Sequence, residues 1–311
     1  MKSVARKLSG RVFGVGGGVG GGNPVSIYLS PPRETIPSIV QQRLAQENQW
    51  ESVVVEPNHH LSFFMPSGEE VSFCAHAAMG AAWALVDDND KNSSSSKNEE
   101  IQFQTKALPT QTARVDKAAQ TVWLQLESVY SDSPVHHDDD DDNDSAIKSI
   151  LKQIRVDPDP QWLIRNASVA RPKTLIRLES EEAVHAAQPP TDPDLFRESC
   201  DRIGSTGIYL YAPKATNNNN SYECRQFPRA SGYPEDPATG IAAAALAWHL
   251  KQQPGEEDQS VYRIYQGTAM KRPSLIQVQN LKTQGTTVTF EVGGRVEIDS
   301  EEDVELYPPA G

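Results

Sequence analysis

Three cysteines in 311 residues, Cys74, Cys200 and Cys224, make an odd number with no framework spacing. That argues against a disulfide-stapled secreted scaffold and favours a reducing, cytoplasmic compartment. Long apolar runs are also missing. The longest are about 10 to 12 residues, against roughly 20 for a membrane-spanning helix. Positive charge is scarce: the formal net charge is −13, and segments 87–100 and 132–144 contribute −3 and −7 of it. Nucleic acid and anionic membrane are therefore poor partners, and the acidity belongs mostly to two loops. Ligand spacing is absent as well. His59-His60 and His136-His137 are bare adjacent pairs, and GVGGGVGGG (14–22) does not open a helix in a βαβ unit. Neither a metal nor a nucleotide cofactor is expected.

What is present is organised around residues 227–250, FPRASGYPEDPATGIAAAALAWHL. Gly232, Pro234 and Pro237 are turn chemistry, and the uncharged run from Ala238 to His249 predicts a helix buried on all sides. Asp236 is placed to cap it, with Pro237 in the first helical position. The first turn of such a helix offers unpaired N–H groups and a positive dipole end, which suits a carboxylate. Residues 70–86, EVSFCAHAAMGAAWALV, repeat the design; alignment pairs His76 with Asp236 and Gly80 with Gly240. Two such halves predict a pseudo-twofold molecule with both helix starts facing one cleft.

Between these stretches, 35–49 has helical spacing, 51–57 and 60–66 read as a hairpin, and 101–127 as two or three antiparallel strands. Residues 147–156 and 180–203 read as helical, and 162–178, 207–213, 261–267, 274–280, 287–294 and 295–306 as strands. The low-complexity runs 87–100 and 131–145 are expected to be solvated, with 216–221 a hairpin tip. Lys2, Arg6, Lys7 and Arg11, with no acid before Glu34, imitate a transit peptide, yet VARKLSGRVFGV reads as a first strand. The fold class is α+β. The expected domains are 1–134 and 146–294, joined by an acidic linker at 135–145, with 295–311 the candidate to return to the first.

GGNPV (21–25), NQWESVVV (48–55), FCAHAAMGAAWAL (73–85), the Arg225-Gln226-Phe227 to GYPEDPATGIA block (225–242) and QGTAMKRPS (266–274) together resemble the PhzF-like, phenazine biosynthesis-like family. That family shares its fold with diaminopimelate epimerase and proline racemase. The resemblance implies two domains, each a mostly antiparallel, barrel-like sheet around a central helix, with the active site between them. It also implies cofactor-free proton transfer, usually in a homodimer. The family's general acid/base matches Glu51, and its assisting histidine and aspartate match His76 and Asp236. Its substrate contacts fall on Asn23, Ala75, Ala77, Gly240, Ile241 and Gly267. Trp50, Ala75 and Ile241 depart from the family's usual serine, glycine and serine, which lowers the polarity of the pocket.

By residue type alone each candidate has a plain alternative. Glu51 could be an ordinary strand-start glutamate, and acid/base work near neutral pH requires it to be desolvated, for which Trp50 and Val53–Val55 are the candidates. His76, just before a buried helix, is expected to be neutral because the positive helix end disfavours imidazolium. Asp236 could cap, catalyse or both. Cys74 lies two residues ahead of His76 with no counterpart in the second half, so a two-thiol racemase is disfavoured and an inert thiol expected. The sequence therefore points to a PhzF-like isomerase that moves a proton within a small carboxylate-bearing metabolite. Its alternatives are an epimerase or racemase of an amino or hydroxy acid, and a non-catalytic binding protein on the same fold.

Overall fold

A computed structural model describes residues 3–16, 21–90, 98–107, 110–135, 141–161, 163–215, 220–253 and 261–306. Parts of the expected Gly-rich turn, of the two low-complexity runs (with His136-His137) and of the hairpin tip lie outside the described residues. The chain divides into two compact units, Met1–Gly18 with Gly22–Leu126 and Gly293–Gly311, and Val19–Gly21 with Glu127–Val292.

The first unit runs β1 (Val4–Val12), β2 (Asn23–Leu29), α1 (Ser38–Gln46), β3 (Ser52–Val55), β4 (His60–Phe64), β5 (Glu70–Val71), α2 (Ala75–Asp90), β6 (Glu99–Thr105), β7 (Gln111–Asp116) and β8 (Thr121–Val129), the last continuing into the second unit. Strands β3 and β4 form the expected antiparallel hairpin, and β6, β7 and β8 an antiparallel run. Two pairs are parallel, β2–β3 and β4–β6, and each is bridged by a helix, α1 and α2. A parallel pair requires such a crossover. Ala75 to Ala82 of α2 are all buried, and the helix packs on β1, β2, β3, β4, β6 and β7. Its small residues permit this. A Cβ on Gly80 would stand 3.1 Å from Ile27 Cδ1 and 3.2 Å from Val25 Cγ1 on β2.

The second unit runs β9 (Ser131–Pro134), α3 (Asp141–Ile154), β10 (Arg165–Ser168), β11 (Lys173–Arg177), α4 (Glu181–Ala186), α5 (Pro193–Arg202), β12 (Gly207–Pro213), β13 (Ser221–Pro228), α6 (Gly240–Lys251), β14 (Val261–Gln266), β15 (Ser274–Gln284) and β16 (Thr287–Glu305). Again the parallel pairs, β11–β12 and β13–β14, are bridged by helices. Strands β12 and β13 are buried along nearly their whole length, whereas β14 alternates strictly and so has one face toward the core. Helix α6 is buried at ten positions and packs on β10, β11 and β15. Helix α3 begins within the acidic run, six residues before the expected start; acids in a first turn favour the dipole.

Residues 287–305 form one strand where the sequence suggested two. The Gly293-Gly294 pair does not break it, because Gly293 makes room for Trp123: a Cβ there would fall 2.3 Å from that ring. From Gly293 onward the strand belongs to the first unit and pairs β1 antiparallel, Val4 opposite Glu305 and Val12 opposite Val296. The basic N-terminal residues meet acids there. Arg6 pairs with Glu301, Lys7 with Glu302, and Arg11 takes both oxygens of Asp299 at 2.8 and 2.9 Å. Among the described residues no helix is long and apolar enough to cross a membrane.

Candidate active site

In the first unit the site grows from two neighbouring strand ends and one helix start. Asn48, in the turn after α1, accepts from Ser26 Oγ at 2.9 Å and donates to Tyr28 Oη at 2.7 Å, so the loop entering β3 is clamped to β2. Ser26 N–H then donates to the Glu51 carbonyl at 3.2 Å. This delivers Glu51, only 7% exposed, at the head of β3, while Trp50 beside it remains 39% exposed. His76, also 7% exposed, sits one residue inside α2 instead of ahead of it. Its Nε2 lies 4.0 Å from Glu51 Oε2, beyond direct hydrogen-bond reach and close enough for one small group to bridge them.

Burial lowers the basicity of His76, and the nearby Glu51 carboxylate and the Pro24 backbone carbonyl offset this in part. The neutral imidazole expected from the sequence thus follows chiefly from desolvation. Asn23, buried, precedes that Pro24, which ties the GGNPV turn to the orientation of the ring. Cys74 accepts the first helical bond of α2 through its carbonyl, from Ala78 N at 2.9 Å, and its Sγ is 3.4 Å from His76 Nδ1. Ala75 and Ala77 flank His76 on the buried first turn of α2.

In the second unit the EDPATG motif is locked from both sides. Glu235 receives Arg225 in bidentate fashion, Nε to Oε1 at 2.8 Å and Nη2 to Oε2 at 2.7 Å, with both groups buried. The third guanidinium nitrogen donates to the carbonyls of Val184, His185 and Ala187. Asp236, 9% exposed, follows at once. Its N–H donates to Gln226 O, and its carboxylate accepts from Ala238 N at 3.2 Å and Thr239 Oγ1 at 2.7 Å.

This corrects the expected cap. Helix α6 starts at Gly240, its N-cap position is Thr239, and Asp236 stabilises the turn before it. The physical reason is Gln266. Its Nε2 donates to the Asp236 carbonyl at 2.7 Å, which a capping residue would give to the helix, and its Oε1 accepts from Thr239 N at 3.3 Å. Tyr209 Oη steadies that amide at 3.0 Å. Gly240 and Ile241 follow as the opening residues of the helix, where N–H groups have no intrahelical acceptor. Gly267, at φ 79°, passes so close that a Cβ would lie 2.8 Å from Pro237 O and 2.3 Å from Arg272 O. Only glycine fits there.

Two further groups colour the second unit. Lys173 is buried, donates to Thr206 O at 3.2 Å, and is lowered to about 8 by burial and Arg171, with Asp236 opposing. Cys200 and Cys224 are buried, and burial pushes Cys200 up to about 12 and Cys224 well above its usual value. Neither is a ready thiolate. Sequence reading assigned no role to Asn48 or Gln266. Asn48 could have been found three residues ahead of Glu51, within the same block. Gln266 lies 30 residues from Asp236, and no local pattern links them.

A family model described as phenazine biosynthesis-like protein matches residues 20–297. An "uncharacterized isomerase" of Deinococcus radiodurans is 34% identical over 116 residues, 35% of this chain and 36% of that protein. The fold is similar to that of the PhzF-family phenazine biosynthesis protein of Bacillus anthracis, with a TM-score of 0.77 at 17% identity over 98% of this chain and 99% of the other. It is also similar, with a TM-score of 0.56 at 13% identity, to a hydroxyproline epimerase of Agrobacterium vitis, over 99% of this chain and 95% of that one. With a match to the family model from residue 20 to residue 297, the chain belongs to the PhzC-PhzF family of phenazine biosynthesis-like proteins.

Proposed function

We propose that this protein is an isomerase that moves a proton within a small carboxylate-bearing metabolite by acid/base catalysis that uses no cofactor. The observation that carries the reading is the pair of buried side chains Glu51 and His76, 4.0 Å apart at a helix start, in a chain of this family. Glu51 takes a proton from one substrate carbon and returns it at another as the double bond shifts, so no electrons are gained or lost. His76, kept neutral, donates to a substrate oxygen that gathers charge. Asp236 assists, and the first turns of α2 and of α6 each offer N–H groups that suit an anion, with Asn23, Ala75 and Ala77 as proposed contacts in the first unit and Gly240, Ile241 and Gly267 in the second. The proposal includes two pseudo-symmetric halves of matching design, a homodimer and a cytoplasmic setting. The isomerase relative from Deinococcus radiodurans supports the reaction class over 36% of its own length.

A second reading, epimerisation of an amino or hydroxy acid, draws on Cys74 Sγ at 3.4 Å from His76. It ranks lower because the thiols of Cys200 and Cys224 are held protonated by burial.

The experiment is incubation in heavy water with a panel of small unsaturated, hydroxy and amino acids, read by mass spectrometry, with wild type beside Glu51→Gln. Deuterium entering one compound with wild type, and at least about 100-fold more slowly with the variant, is expected. Equal labelling by both proteins removes Glu51 from the reaction, and a configurational change without a double-bond shift selects the second reading.

A further inference from the structure

Strand β2 touches both members of the Glu51–His76 pair. Its Pro24 carbonyl accepts from the His76 ring, and its Ser26 N–H donates to the Glu51 carbonyl at 3.2 Å. The two contacts lie two residues apart, about 7 Å along an extended chain. Strand β3, which follows Glu51, runs parallel to β2 with Ser52 opposite Ser26. One strand thus spaces the two main-chain positions. It does not by itself fix the loop that brings Glu51 to it.

Asn48 anchors that loop with both ends of its amide. Its Oδ1 accepts from Ser26 Oγ at 2.9 Å, and its Nδ2 donates to Tyr28 Oη at 2.7 Å and to Leu44 O at 2.5 Å. Leu44 O is one of the last four carbonyls of α1, which need acceptor partners from outside the helix ladder. Tyr28 Oη donates to the same carbonyl at 3.1 Å. Asn48 is half-buried, whereas Glu47, Gln49 and Trp50 around it are exposed. One amide therefore joins a helix end to two positions of β2, three residues before Glu51. Alanine there would remove all three bonds and let the loop carry Glu51 away from His76.

We propose that Asn48 is a positioning residue for this pair: bonded to Ser26, Tyr28 and the end of α1, it holds the Glu51 carboxylate at its 4.0 Å from His76. Loss of its amide uncouples the two groups while leaving both in the chain. The proposal rests on the reading of Glu51 and His76 as a working pair, which Glu51→Gln tests separately.

The test is an NMR pH titration of the full chain labelled with ¹⁵N-histidine, with His76 as the reporter. The Glu51 carboxylate raises His76, so a carboxylate that drifts away raises it less. Asn48→Ala should therefore lower the His76 midpoint by roughly half or more of the shift that Glu51→Gln produces. On the Glu51→Gln background it should add no further shift, because no carboxylate is left to position. Ser26→Ala keeps the N–H that holds Glu51 and should move His76 the same way by less. It decides the matter if Asn48→Ala fails to fold. Gln41→Met removes a different buried amide of the same unit, one bonded to Glu56 and Ile36 O, and should leave His76 in place. Three results would each overturn the proposal: a shift with Glu51→Gln but none with the folded Asn48 or Ser26 variant, an additive shift in the double variant, or an equal shift with Gln41→Met. No shift with Glu51→Gln would overturn the working pair itself, and the positioning role with it.

Discussion

His76 shows how one residue's chemistry depends on the depth at which it sits. Inside the first turn of α2 it loses water, and this outweighs the attraction of Glu51 for its proton. Because the carboxylate raises the histidine, removing it must lower the histidine further. In an NMR titration His76 should therefore titrate below 6.5, and lower still in Glu51→Gln; an upward movement in the variant would mean that the two groups are not in contact. Gly267 makes a different point at the same scale. The resemblance offers it as a substrate contact, whereas its surroundings give it a backbone reason to be glycine, the carbonyls of Pro237 and Arg272. Gly267→Ala should displace the turn that holds Gln266 and Asp236 and lower Tm by several degrees, as differential scanning fluorimetry would show.

Among elements, the segment before α6 is fixed by partners remote in sequence. Arg225 and Glu235 are both buried, so each covers the other's desolvation. Replacing one alone, as in Glu235→Gln, leaves a guanidinium with one charged partner fewer and should cost about 3 kcal/mol in denaturant unfolding. The other end of the helix is tied as well. Asp132 on β9 accepts from His249 Nδ1 and Tyr130 Oη at 2.8 Å each, and from Arg165. Burial works against its ionised form, yet His249, Arg165 and Tyr130 hold it down at about 2. A depressed carboxylate contributes stability above its unfolded value of about 3.9, which is lost as pH falls toward 2. Acid unfolding should thus be shallower in Asp132→Asn than in wild type between pH 4 and 2.

These elements also mark how far the sequence could be read. The buried helices followed from uncharged small-residue runs, and the hairpin and the antiparallel run from alternation and proline punctuation, because all of these are local signals. The capping role given to Asp236 did not hold, because Gln266 takes the carbonyl that a cap would have used, and a side chain 30 residues away leaves no trace in a local pattern. The single strand 287–305 was missed for the same reason, since the glycine pair is explained only by Trp123. Of the candidate site, Glu51 and His76 were named from sequence and lie together; the clamp that delivers Glu51, Asn48, was not.

At the scale of the molecule, the first unit is made from both ends of the described chain. Strand β1 is basic and the last part of β16 acidic, and their side chains pair across the ladder. Each exposed pair contributes little, but a row of them is additive in sign and sensitive to salt. Neutralising Glu297, Asp299, Glu301 and Glu302 to glutamine or asparagine should lower Tm at low ionic strength, and the gap to wild type should close toward about 1 M salt.

The same pairing imposes an order of events on a chain made from one end. Val4 leaves the ribosome some 300 residues ahead of its partner Glu305. At roughly 5–20 residues per second, β1 waits on the order of 15 to 60 seconds with one edge unclaimed. By the end of that interval the stretch of the second unit from Glu127 to Val292 has been synthesised in full, ahead of the part of β16 that pairs β1. The segment that carries Glu51 and His76 is thus synthesised ahead of the second unit, while β1 of the same unit gains its β16 partner only after it.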